Sequence, residues 1–362
     1  MLRLPFMLYF LTAMCCHIKL CAQSDSAAAV YKKLRDSYII DLTYKINITP
    51  FIMGSGNGFE LRSTKNIRVR PNEYGTIGLR VSHRWISVAL AFGIKNLQSE
   101  KKGTTEFFNI NVNTYRQKWG FNGYYHSYKG QYISNDDIAN LPQFKNTQTY
   151  PILPSVRTVY IGTSAYYVSN HQKFSYRASF MNNELQKKSA GSFLLMASYA
   201  FFKLNSDTGF VPGDVQSSVP ISSQITDGKF NSFSIMPGYA YTLVFAKKYF
   251  FTLAPSVGLM TQFQNYTTNG IMEKGKNDGN VIYPRAMARA ALGYNASKWY
   301  WGISAIVDNY IIRLPQNDLL IYNIGNANVY VGFRLNVPKR FRKFSKKINE
   351  YAPENILNEL VH

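Results

Sequence analysis

The sequence predicts an all-β protein: a single antiparallel transmembrane β-barrel of 12 to 14 strands, with short turns at one rim and longer loops at the other. Three observations predict it. Apolar residues recur with period two over many segments, the segments are long for a soluble sheet, and short connections alternate with long ones.

Alternation is clearest in five places. Residues 42–48 set Leu42, Tyr44, Ile46 and Ile48 against Thr43, Lys45 and Asn47. Residues 76–82 set Ile77, Leu79 and Val81 against Thr76, Gly78, Arg80 and Ser82. Residues 86–92, 108–113 and 326–337 repeat the pattern, the last with Ala327, Val329, Val331, Phe333, Leu335 and Val337 on one face. Candidate strands cover 41–52, 66–83, 85–94, 104–116, 118–129, 157–169, 172–181, 190–204, 230–245, 248–263, 284–295, 298–311 and 326–337. Soluble strands average about five or six residues, whereas a tilted membrane crossing takes about 9–11.

Connections at 83–84, 117–118, 170–172, 246–247 and 296–297 are very short, and those at 95–103, 130–156, 205–229, 264–283 and 312–325 are long and polar. This matches short periplasmic turns facing longer outer loops. The order breaks at 182–189 and 205–229, two loops with no short turn between them. Either a strand is hidden in 205–229, for 14, or one assigned strand is false, for 12. Each short turn sets a cation beside an aromatic, and Trp85, Trp119, Trp299 and Trp301 all lie near such turns. Amphipathic rings and snorkelling cations belong at a membrane–water boundary.

The N-terminus has the pattern of a secretory signal peptide. Arg3 precedes the apolar stretch from Leu4 to Met14, and Leu20-Cys21-Ala22 places the cut after Ala22. A spanning helix would need about 20 apolar residues. The domain reading is therefore a leader over 1–22, an N-terminal periplasmic segment over 23–40, a barrel over 41–337 and a basic C-terminal tail over 338–362. In the tail Lys339, Arg340, Arg342, Lys343, Lys346 and Lys347 precede a stretch that forms either a short helix on a membrane or partner, or a solvated tail. Cys15, Cys16 and Cys21 are the three cysteines and all fall in the leader. The exported chain then has no disulfide framework, thiolate metal site or cysteine nucleophile. Net charge is +21, and cleavage removes only Arg3 and Lys19 from it. Export turns this surplus away from nucleic acid and toward lipopolysaccharide, acidic phospholipid or anionic solutes.

Several stretches carry a resemblance. They are Gln172 to Phe180, continuing through Glu184 to Phe193; Arg68-Val69-Arg70-Pro71-Asn72; Pro237 to Thr242; and Ala291 to Asn295. Over roughly residues 35–337 the chain resembles an uncharacterised barrel family of the Bacteroides lineage, domain of unknown function 4421. The stretch 172–193 is the specific part. The resemblance implies an outer-membrane barrel and brings no activity, ligand or catalytic residue. The basic extension after Val337 departs from the family pattern.

No catalytic residue, metal ligand or cofactor is assigned. Among His83, His126, His171 and His362, only His126 has a serine beside it within a strand. Neighbouring strand residues point to opposite faces, so His126 and Ser127 make a poor nucleophile pair. The glycine-rich 54–58 sits between strands and reads as a tight turn, not a phosphate loop. The remaining candidates are charges that alternation turns toward the lumen: Lys45, Arg80, Arg177, Arg285, Arg289, Asp308 and Arg334. They either pair and fill the interior or line a cation-rich constriction that favours anions. Function follows the same division. The first expectation is passage or binding of a small anionic solute; the alternatives are a filled structural or interaction barrel, and a membrane-embedded lipid-modifying enzyme. A soluble β-sandwich would explain the leader and the alternation, but not the strand lengths or the basic–aromatic turns. Intact mass of the protein from a membrane fraction is expected to begin at Gln23; retention of residues 1–22 would make them an anchor instead.

Overall fold

The computed structural model describes residues 30–34, 37–57, 60–61, 66–73, 75–83, 86–93, 100–134, 150–207, 209–210, 221–269, 274–314 and 318–336. The leader over 1–22, Trp85 and the basic tail over 338–362 lie outside them. The chain begins with β1 (Tyr31–Lys33), then β2 (Ser37–Ile48), β3 (Phe51–Asn57), β4 (Glu60–Leu61), β5 (Ile67–Arg70), β6 (Thr76–His83), β7 (Ile86–Gly93), β8 (Glu106–Tyr115) and β9 (Trp119–Ile133). It continues through β10 (Ile152–Val168), a short helix α1 (Tyr176–Phe180), β11 (Glu184–Gln186), β12 (Ala190–Asn205), β13 (Ile225–Phe245), β14 (Tyr249–Asn269), β15 (Lys274–Asn295), β16 (Trp299–Leu314) and β17 (Asp318–Asn336).

Ten of these strands close a hydrogen-bonded ring. From β9 it runs through β10, β12, β13, β14, β15, β16 and β17, then returns through β3 and β5 to β9. The remaining wall grows from two breaks. Pro50 separates β2 from β3 and Pro71 follows β5 before β6 begins. Proline has no N–H to give a ladder, so a strand tends to stop or bend there. Below the breaks β2 stays on β17 and pairs with β6, β6 takes on β7, and β8 pairs with β9. With β2–β3 and β5–β6 each counted as one interrupted strand, the wall is crossed twelve times among the described residues.

That even count corrects one assignment. Residues 172–181 are not a strand. They form a turn and α1, capped by Ser175 Oγ, which accepts from Ala178 N at 3.1 Å. Two of the expected long loops are also strands for most of their length. β13 and β14 run 21 residues each and β15 runs 22, so their hairpins project well beyond a bilayer. Polar residues such as Gln262, Gln264 and Asn265 mask the alternation there. The interval 312–325 likewise belongs mainly to the ends of β16 and β17. Residues Gly54 to Asn57 belong to β3, where Gly56 pairs with Leu61 and Asn57 with Glu60 of β4; Gly58 lies outside the described residues.

The wall is apolar on the outside. Phe193, Ile235, Leu259 and Ile282 are more than half exposed, and Leu42, Leu79, Ile110, Val329 and Leu335 are likewise exposed around the wall. In a soluble sandwich these faces would meet in a core; here they face lipid. Small inner residues let aromatic rings lie flat across the strands. A Cβ at Gly302 would meet the Tyr330 hydroxyl at 2.6 Å and a Cβ at Gly332 would collide with Tyr300, so glycine is required at both positions.

Ile235 is 64% exposed at the middle of β13 and pairs with Leu259. Ile235→Lys is expected to destabilise the folded barrel by about 2–4 kcal/mol if this site lies near the bilayer midplane, measured as the urea midpoint in phospholipid vesicles. The same change on a water-facing surface would be nearly neutral.

Candidate functional site

The connection between β10 and β12 turns back into the short-turn mouth of the ring. Phe174, Tyr176, Met181 and Leu185 bury their side chains, and β11 pairs with β1 as a small antiparallel cap. Polar side chains of the wall hold this plug. Arg334 on β17 donates to Asn182 O through Nε at 3.0 Å and to Asn295 Oδ1 at 2.6 Å, with a further bond to Ala296 O. Asn295 Nδ2 donates to Ala178 O and Glu184 O at 3.1 and 3.2 Å. Ser179 meets Thr252 at 2.6 Å and Thr242 at 3.3 Å. Tyr166 packs on Tyr176 at 4.7 Å between ring centroids.

Arg177 was expected on a strand facing the lumen. It stands instead on α1 and pairs with Glu184 at 3.4 Å. Burial pushes its guanidinium down from the ordinary arginine range, and Glu184 opposes that shift. Arg289 lies with its guanidinium 5.9 Å from the Tyr176 ring. Arg80 donates to Asp41 through Nε at 2.7 Å, Tyr300 donates to the same carboxylate at 2.7 Å, and Arg334 stacks 4.4 Å over Tyr300.

Above the plug, one buried pair joins neighbouring strands on the inner face. Arg285 on β15 donates through Nε and Nη2 to Asp308 on β16, with its closest bond at 2.7 Å. Its other nitrogen reaches Ser198 on β12 and Ser234 on β13. Its guanidinium also lies 3.9 Å from the Tyr310 ring. Planar, always charged and five-donor, arginine suits this role where lysine would not. Arg285 and Arg289 are 3% and 4% exposed.

An aromatic layer follows toward the loop end. Tyr310 stacks on Tyr322 at 4.8 Å, Phe202 on Tyr322 at 4.4 Å and Tyr124 on Tyr160 at 5.0 Å. Tyr124 and Tyr310 also approach at 3.2 Å between hydroxyls, joining β9 to β16 across the ring. Phe210, from the segment after β12, meets Phe51 edge-on at 5.3 Å, and Ser222 N donates to Asp318 at 2.7 Å.

The side of the wall made by β2, β6, β8 and β9 is different. Lys45 interacts electrostatically with Glu73, which lies in the break between β5 and β6 and accepts from Asn47, Thr49 and Asn109. His126 Nε2 lies 3.2 Å from Asn111 Oδ1, with Tyr124 and Tyr128 beside the ring. Among the described residues no serine is bonded to it, and no group of His, Cys, Asp or Glu could hold a metal.

Trp119, Trp299 and Trp301 are exposed at the short-turn end. Trp119 packs on Tyr167 at 4.8 Å, and Tyr294 gathers Trp299 at 4.8 Å and Tyr249 at 5.2 Å, with Lys248 over its ring at 5.8 Å. The partners of the charged residues, Asp41, Ser198, Ser234, Asn182, Asn295 and Tyr310, were not legible as site residues. Apart from Asn182, which offers its backbone carbonyl from the turn after α1, their signal was a polar residue on strands far apart in sequence.

Asp308→Ala strands the Arg285 charge and is expected to cost about 3–5 kcal/mol. The double change Arg285→Met with Asp308→Leu should recover most of it, read from unfolding midpoints of both variants.

Solved structures of similar fold include the outer membrane protease OmpT of Escherichia coli, 7% identical, covering 86% of this chain and 100% of that one with a TM-score of 0.35. The toluene transporter TodX of P. putida is 8% identical, covers 83% and 90%, and has a TM-score of 0.27. The attachment invasion locus protein Ail of Yersinia pestis is 9% identical, covers 82% and 99%, and has a TM-score of 0.19. No curated protein matches the sequence. One family does match, over residues 25–335 and so across the plug as well as the wall: the chain belongs to the domain of unknown function family DUF4421.

Proposed function

We propose that this chain is an outer-membrane β-barrel with a closed lumen, exported by its leader and serving as an anchored structural or interaction unit. The observation that carries this reading is the use made of the lumen cations. Arg285, Arg80 and Arg334 each spend their donors on internal carboxylates, hydroxyls or carbonyls. A constriction selective for anions needs cations directed at water, and these three are directed at the protein. Side chains joining β9 to β16 and β15 to β12 cross the path a solute would take.

The short-turn rim supports membrane contact. Lys118, Lys173, Lys247, Lys248 and Lys298 are exposed close to the aromatic girdle, where cations reach lipid phosphates. In the turn between β13 and β14, Ala246 and Lys247 hold positive φ of 46° and 64° without being glycine. The basic residues from Lys339 to Lys347 follow β17 in the sequence, and their charge suits acidic lipid. His126 is 4% exposed and lies among tyrosines, which supports a packing role over acid–base chemistry and a barrel that is not an enzyme.

Purified protein in a planar bilayer is expected to give no stable conductance steps. Steps with anion preference that falls when Arg285 and Arg289 are neutralised would overturn the closed lumen and restore solute passage.

A further inference from the structure

The wall contains a fork. At the loop end β5 pairs directly with β9, through Val69 with Ile133 and Arg70 with Tyr132. After Pro71 the two diverge, and β7 and β8 fill the space between them. β7 hydrogen-bonds to β6 and β8 to β9, but among the described residues no pairing joins β7 to β8. The top of the fork is pinned: Asn72 N donates to Thr105 Oγ1 at 2.8 Å, Asn72 Nδ2 to Gly103 O at 2.6 Å, and Thr105 to Gly130 O at 2.7 Å. Below this staple two strand edges face each other unjoined.

On one side of the seam Phe108, Ile110 and Val112 of β8 are exposed, and on the other Ile77, Leu79 and Val81 of β6, the strand that β7 pairs with, are exposed. Open strand edges do not persist against hydrocarbon, because their N–H and C=O groups find no partner there. Something polar must reach the seam. Behind it the inner face of β8 carries Asn109, Asn111 and Asn113 at alternate positions, and Asn111 and Asn113 are exposed although they face inward. Glu73, which accepts from Asn47 and Asn109, and Lys45, opposite to it in charge, stand at the upper end of this face. While the arginine side of the lumen is bonded shut, this side is lined with amide donors and acceptors that remain accessible.

We propose that the β7–β8 seam is a lateral opening that holds one zwitterionic phospholipid. Its acyl chains lie in the bilayer and its head enters through the seam onto Asn109, Asn111 and Asn113. Lys45 would meet the head-group phosphate and Glu73 its ammonium, so an opposite-charge pair selects a head with both charges over a purely anionic one. Glycerol ester and phosphate oxygens supply acceptors for strand-edge N–H groups. The proposal goes beyond a closed lumen and does not depend on it, since a lipid held in the wall conducts nothing.

The test uses the full mature protein reconstituted in mixed vesicles of phosphatidylethanolamine and phosphatidylglycerol, re-extracted in mild detergent and weighed by native mass spectrometry. One retained phosphatidylethanolamine per barrel is expected, with loss of that adduct in the Asn111→Leu, Asn113→Leu double variant. A second measurement keeps the test open if that variant misfolds. A fluorophore on Asn113→Cys, in a chain whose other cysteines are in the leader, should be quenched by phospholipids brominated on their acyl chains. No adduct, equal retention of phosphatidylglycerol, an unquenched inner-face label, or a dimer joined through the seam would each overturn the proposal.

Discussion

A peptide group in hydrocarbon has no water to bond, so every strand of a membrane wall must find a neighbour on each side. The ring closes for that reason, and most other features follow from the closure. With backbone groups satisfied within the wall, the outer face must be apolar, which inverts the usual placement of Leu, Ile and Phe. The two prolines matter because they interrupt this rule locally. Pro50 and Pro71 remove donors on neighbouring strands at nearly the same height, and the wall widens there from the ten-stranded ring into the fork that takes in β7 and β8.

Closure also creates an interior that has to be filled or wetted. A ring of about eight strands encloses a space that side chains just fill. This wall is larger, and two stretches of chain enter to occupy it: the 169–189 connection at the short-turn mouth, and the segment carrying Phe210 at the loop end. Arg285 and Asp308 lie between them. A buried guanidinium is tolerable only with a counter-charge and bonded nitrogens, and Asp308, Ser198 and Ser234 meet that condition from three strands. Residues 172–193 are the plug and the start of β12, and they close the mouth of the ring.

Much of the wall was legible and most of the interior was not. Segments such as 76–82 and 326–337 reveal themselves because one face meets lipid and the other does not, and lipid enforces strict alternation. Above the bilayer that enforcement ends, so β13 to β15 continue through polar residues that look like loops. Residues 172–181 failed for the opposite reason. Lys173, Phe174, Ser175 and Tyr176 alternate well enough for a strand, yet this stretch is not hydrogen-bonded into the wall and takes the form of a capped helical turn against Tyr166.

The sequence by itself determined that this chain is an antiparallel β-barrel and which face of strands such as 76–82 and 326–337 is apolar, because these follow from a period of two along a single strand; Arg177, on α1, shows where that rule stops. Tertiary structure alone decided what the inward charges meet. Arg285 and Asp308 are 23 residues apart, Arg334 and Asn182 are 152, and Tyr300 and Asp41 are 259. Such partners become neighbours only when the ring closes and sets the register between strands, and that register is a property of the whole wall.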